Sequence, residues 1–155
     1  MSEADEQRRL AQERAALLEE FDIARFLALI GSVGHGKAIG YDYRAHGDNW
    51  VELGLAPKPE LVGVPEDGIL ASGAIVGLLD TCGGASVWQA LGRFEPIVTI
   101  DLRLDYLRPA TIDDRIVARC ETYKLTRSVA FVRGTARLED GRELAHVAGT
   151  FMIKA

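Results

Sequence analysis

"GILASGAIVGLLDTCGG", residues 68–84, is the most apolar stretch of the chain and contains one carboxylate, Asp80. No lysine or arginine lies within ten positions on either side of it. An ionised carboxylate isolated among apolar groups is costly or shifts its pKa upward. Asp80 therefore either faces water or serves a purpose that offsets the cost.

The stretch predicts a helix from about Ile69 to Leu91, stopped at Gly92. On that helix Gly73, Gly77, Asp80 and Gly84 share one stripe, and Ile75, Leu78, Leu79 and Cys82 occupy the opposite side. A mid-helix glycine costs about 1 kcal/mol relative to alanine. Three on one stripe point to a close approach, by another helix or by a ligand. Two readings stay open at this point. Asp80 is half of an ion pair with a strand arginine beneath a tightly packed helix, or it is a working carboxylate.

The start of the same helix offers a second feature. Its first N–H groups lack intrahelical partners, so Ala71-Ser72-Gly73 can donate to an oxyanion. Asp80 lies about two turns further on, too far for one chain to bring both to one atom. Two such helices paired antiparallel across a dimer would unite them. The product is a carboxylate beside an oxyanion hole, the parts acyl transfer requires.

Beyond Gly92 the periodicity changes to two. In "VTIDLRLDYLR", residues 98–108, Val98, Ile100, Leu102, Leu104 and Tyr106 alternate with Thr99, Asp101, Arg103 and Asp105. "DRIVARCETYKL", "SVAFVRGTARL" and "RELAHVAGTFMIKA" follow as strands, the last behind an Asp140-Gly141 turn. Four strands joined this tightly are expected to form a meander. Upstream, "GKAIGYDYRAHGDNWVELGL" reads as a hairpin around His46-Gly47-Asp48, and Pro57, Pro59 and Pro65 mark a loop. Residues 3–29 read as one N-terminal helix with Leu10, Leu17, Leu18, Phe21 and Phe26 or Leu27 near helical spacing, expected to dock on the rest. The expected domain is α+β, an antiparallel sheet over one long helix, with open sheet edges that favour self-association.

Composition narrows the function. The chain has 155 residues, 48% of them hydrophobic, which suits one domain with a proper core. A net charge of −5 argues against nucleic acid or an anionic membrane held by bulk electrostatics. The N-terminus "MSEADEQRRLAQERAALLEEFD" is too charged for a secretory signal. The charge-free run Gly68 to Leu79 falls short of the roughly 18–20 residues of a membrane span. A soluble, cytoplasmic protein is expected, with Cys82 and Cys120 reduced. His35, His46 and His146 match no metal or triad pattern, Ser86 and Ser128 lack a nearby base, and Gly83-Gly84 lacks a phosphate-loop fingerprint. Most of the arginines in the C-terminal half fit a solvated sheet face.

Taken together, "GILASGAIVGLLDTCGG", "VTIDLRLDYLRPA" and "DGRELAHVAGTF" resemble the hotdog-fold thioesterases of the PaaI type, over about Gly68 to Phe151 and more loosely over the preceding hairpin. The resemblance implies a sheet of about six strands wrapped around the central helix. Residues 31–155 would form that domain and residues 1–30 a helical extension. It implies a homodimer or homotetramer that hydrolyses acyl-CoA with no metal and no bound cofactor. The family's helix carboxylate, nucleophile or general base, falls on Asp80. Its backbone donor falls on Ser72 or Gly73, and its water-orienting hydroxyl on Thr99. Lys124 and Arg127 flank a strand turn where the CoA phosphates often lie, and Gly77 and Gly84 line the small-residue stripe toward substrate. Two positions depart from the family. Its usual His-Gly-Gly is Ala71-Ser72-Gly73 here, and its upstream asparagine or glutamine falls near Pro65. These departures leave a non-catalytic acyl-CoA-binding or regulatory dimer as the alternative function. A hotdog hydratase would need an Asp-His pair, and no histidine closely follows Asp80.

Overall fold

A computed structural model describes residues 2–154, with the side chains of Glu3, Arg14, Leu17 and Leu18 outside the described set. The helix that decides the fold, α4, runs Ser72–Leu91 (after α1, Glu3–Glu19; α2, Ile23–Gly31; α3, Gly34–Ile39). Its apolar side is fully withdrawn from solvent: Leu78, Leu79, Cys82 and Ala85 are all 0% exposed. That side lies on a six-stranded antiparallel sheet built from β1 (Tyr41–His46), β2 (Trp50–Leu55), β5 (Ile97–Tyr106), β6 (Ile116–Leu125), β7 (Val129–Leu138) and β8 (Glu143–Ile153). Val51 and Leu53 of β2, Ile116 and Ala118 of β6, and Val132 of β7 complete the core beneath it. The helix is long and apolar enough by composition to cross a membrane, yet over half of that window is buried inside the fold.

The helix begins three residues later than the sequence pattern suggests. Ile69–Leu70 instead form a short strand, β4, paired with β3 (Val62–Val64), and the Leu70 N–H donates to the Ala110 carbonyl. Ala71 is then extended, with ψ at 132°, and the helix opens at Ser72. At the other end Gly92 takes a φ of 65°, the left-handed cap that stops it.

The four C-terminal strands do not form one meander. Neighbours in the sheet run β1-β2-β6-β7-β8-β5, so β6, β7 and β8 are successive hairpins while β5 lies at the far edge beside β8. The physical reason is burial. Strand β6 is apolar on its inner face at Ile116, Ala118 and Cys120 and fills the gap against β2. Strand β5 leaves Val98, Ile100 and Tyr106 at 44–53% exposure and suits an edge. The segment after Tyr106, stopped as a strand by Pro109, carries the chain across.

The alternation in β5 is also broken. A bulge between Thr99 and Asp101 inserts Ile100, so Ile97 and Thr99 face α4 before it and Leu102, Leu104 and Tyr106 after it. Strict period two would place Thr99 on the face away from the core.

The N-terminal segment is two helices, α1 and α2, rather than one, and α3 occupies Gly34–Ile39, so the expected hairpin starts only at Tyr41. The segment breaks after Glu19, where Asp22 caps α2 by accepting from the Arg25 N–H at 3.1 Å. Helix α2 buries Ile23, Phe26 and Leu27. Phe26 packs edge-on against Trp88 of α4, with ring centroids 4.8 Å apart. Of the apolar positions in α1, Leu17 and Leu18 lie outside the described side chains.

Candidate active site

Asp80 projects from α4 between β5 and the short helix α3, half-buried. Because the bulge turns Thr99 inward, its hydroxyl donates to Asp80 Oδ1 at 2.9 Å. No ion pair among the described residues includes Asp80. The strand arginines that could have claimed it are engaged elsewhere: Arg119 and Arg137 on Glu52, Arg133 on Glu121, Arg103 on Asp105. Among the described residues the ion-pair reading of Asp80 thus finds no partner, and a neutral donor, Thr99, holds the carboxylate.

The two residues open into a cavity of about 450 Å³, whose walls include His35 and Gly36 of α3, Trp88 and Gly84 of α4, and Ile97 and Phe151. By sequence, His35 matches no metal or triad pattern and reads as structural or solvent-facing. Nothing in "GSVGHGKAIG" marks it, since only the packing of α3 on α4 brings it beside Asp80. That packing explains one glycine of the stripe. A Cβ at Gly77 would run into Ile39 Cδ1 and sit 3.2 Å from His35 Cε1. A Cβ at Gly84 would meet Ile97 and Phe151 at ordinary contact distance, while Gly73 faces open space. Tyr41, also in the wall, has its hydroxyl pushed up to about 12 by burial, so it stays protonated.

Ser72 belongs to a different cavity, of about 390 Å³, with Tyr106, Leu107 and Arg108 around the start of α4. Tyr106 donates its hydroxyl to the Ser72 carbonyl at 3.2 Å. Burial raises the pKa of that phenol, with the bond to Ser72 pulling the other way. The Ser72 and Gly73 N–H groups open the helix with no partner among the described residues. The carboxylate and the backbone donors of one chain therefore face separate hollows, about 12 Å apart along the axis at 1.5 Å per residue.

Lys124 and Arg127 stand at the β6–β7 turn, exposed and outside every ion pair among the described residues. By register, Leu125, Ala130, Phe151 and Thr99 lie in one row across the sheet, so this turn caps the row that carries the site threonine. Other candidates have local duties. His46 Nδ1 meets the Tyr43 hydroxyl at 2.7 Å, and His146 lies 3.2 Å from Glu143. Ser86 bonds to the Gly83 carbonyl and to Thr122 inside the core. Cys82 and Cys120 are free and buried, and the neighbouring Cys82 thiol, then burial, pushes the Cys120 thiol up, which keeps it protonated. Among the described residues no three His, Cys, Asp or Glu side chains gather as a metal would need.

Comparison with known proteins gives this arrangement a context. Residues 67–145 match the family model described as "Thioesterase superfamily". A medium/long-chain acyl-CoA thioesterase of Salmonella typhimurium, YigI, is 29% identical over 130 residues, covering 76% of this chain and 83% of that protein. Among solved structures, a Pseudomonas aeruginosa protein is 37% identical with a TM-score of 0.71, covering 88% of this chain and 98% of the other. The thioesterase HI1161 of Haemophilus influenzae shares the fold at a TM-score of 0.75 and 20% identity, covering 86% and 91%.

Proposed function

Since the chain belongs to the thioesterase superfamily and has its hotdog fold, we propose that it hydrolyses acyl-CoA to a free acid and CoA at a site shared between two subunits. The observation that carries the reading is the Thr99–Asp80 bond in an open cavity, with no cation paired to the carboxylate among the described residues. In this scheme Asp80 attacks the thioester carbonyl or takes a proton from water that does so. Thr99 holds the carboxylate and the water in line. The Ser72 or Gly73 N–H of the second subunit stabilises the oxyanion. Lys124 and Arg127 meet the CoA phosphates, a role left open by the absence of carboxylate partners for them among the described residues. A thioester suits this equipment because a thiolate leaves without a strong general acid.

The name of the YigI relative supports acyl-CoA as the substrate. A non-catalytic acyl-CoA-binding dimer is favoured by Ala71-Ser72-Gly73 in place of His-Gly-Gly and by Pro65, which has no side-chain donor. Free-thiol release over aliphatic and aromatic acyl-CoA esters separates the two. Turnover that disappears in Asp80→Asn supports the enzyme. Tight binding of the same esters with no thiol released supports the binding module.

A further inference from the structure

A second, larger cavity lies behind the first. It measures about 620 Å³ and is lined by Leu10, Ala11 and Ala15 of α1, Leu29 of α2, and Phe26 and Phe94. Its wall is almost wholly apolar in residue type, and it shares Ile30, Val33 and Trp88 with the wall of the Asp80 cavity. Those three side chains form a common partition, with Asp80 on one side and an apolar chamber on the other. The chamber is made largely by the N-terminal helices, outside residues 67–145 that match the family.

Its size falls in the range of small-molecule sites. It is open to solvent on one side, and an exposed apolar hollow of this kind on a folded domain marks a binding site. The partition is thin at one point: Val33, in the α2–α3 link, is 40% exposed. The chamber roof, α1, is a mostly polar helix that rests chiefly on α2. We propose that this chamber receives the alkyl chain of the substrate, entering past Val33 and Trp88 from the Asp80 cavity, so that the N-terminal helices set acyl-chain length. The inference rests on the acyl-CoA hydrolase reading and extends it to medium and long saturated chains.

Burial of each methylene then raises kcat/KM by up to about fourfold until the chamber is full. The test compares butyryl-CoA with dodecanoyl-CoA on the full chain and on Val33→Trp, which plugs the neck from an exposed position. The expected result is a dodecanoyl-to-butyryl ratio of kcat/KM at least tenfold lower in Val33→Trp. An unchanged ratio overturns the proposal, as does a ratio near one in the unaltered protein. A readout that needs neither turnover nor a neck variant uses Trp88, isolated by Trp50→Phe. A CoA thioether with a terminally brominated dodecyl chain should quench Trp88 emission, and a bromoethyl thioether should quench it far less. Binding of the long thioether without quenching refutes the chamber. Failure of every ester and thioether to react or bind refutes the underlying hydrolase reading instead.

Discussion

Asp80 and Thr99 form the smallest unit whose chemistry can be tested. Asp80→Asn is nearly isosteric, and no cation among the described residues would be stranded by it, so its melting temperature should stay close to the parent's while thiol release disappears. A destabilised but active variant would restore the ion-pair reading, in which breaking a buried pair costs roughly 3–5 kcal/mol. Thr99→Val removes a hydrogen bond to a charged group, worth about 1.5–3 kcal/mol. If that bond is made in the transition state, kcat should fall about ten- to hundredfold, measured by the same assay. Ser72 admits a cleaner experiment. It is the first helical residue, where proline fits, and Ala71 already has the extended backbone that precedes a proline. Ser72→Pro therefore deletes one N–H and keeps the helix. Loss of one oxyanion donor should lower kcat about 10²–10³-fold, with Ser72→Ala as the control for the lost hydroxyl. An active Ser72→Pro enzyme assigns the donation to Gly73.

At the scale of elements, the N-terminal helices differ in what they hold together. Helix α1 is mostly polar and exposed, whereas α2 sets Ile23, Phe26 and Leu27 into the core at 7% exposure or less. Removing residues 1–19 should change the melting temperature little. Removing residues 1–28 also takes away three buried side chains, each worth about 2–5 kcal/mol, against a total stability of about 5–15 kcal/mol. Thermal denaturation should show the longer truncation unfolded or strongly destabilised. Strand β7 has a tight point of its own. A Cβ at Gly134 would run into the Arg119 carbonyl and stand 2.6 Å from Cys120 Sγ. Backbone cannot yield as a flexible side chain does, so Gly134→Ala should cost about 1–3 kcal/mol, read as a lower denaturation midpoint.

For the whole molecule, the separation of Asp80 from the helix start makes assembly part of the chemistry. Strand β5 ends the sheet with an unpaired edge, and its Val98, Ile100 and Tyr106 are exposed. Light scattering should find a dimer or tetramer, and a monomer that turns over substrate would remove the shared site. Complementation tests the sharing directly. In a dimer reassembled from inactive Asp80→Asn and Ser72→Pro chains, a site that takes Asp80 from one subunit and the Ser72 amide from the other is intact once per mixed pair. Random mixing then recovers about a quarter of parental activity, because half the dimers are mixed and each has one good site of two. If both groups act within one chain, mixing recovers nothing.

Local pattern in the sequence specifies the central helix and the main strands. The glycine stripe with a lone Asp80 on one long apolar helix, the period-two strands behind it and the His46-Gly47-Asp48 turn are local patterns, and each is legible because it depends on neighbours a few residues away. The distance from Ser72 to Asp80 was legible for the same reason, since helical rise alone sets it. Packing alone settles which distant segments meet. The edge position of β5 follows from competition among strands for the place beside β2. The bulge at Ile100, which turns Thr99 toward Asp80, follows from the register against β8. His35 reaches the site because Gly77 leaves room for Ile39 to seat α3. The chamber under α1 exists because the N-terminal segment breaks at Asp22 and folds back over Trp88. These are long-range packing outcomes, settled by which surfaces exclude water best together, and no single stretch of the chain contains them.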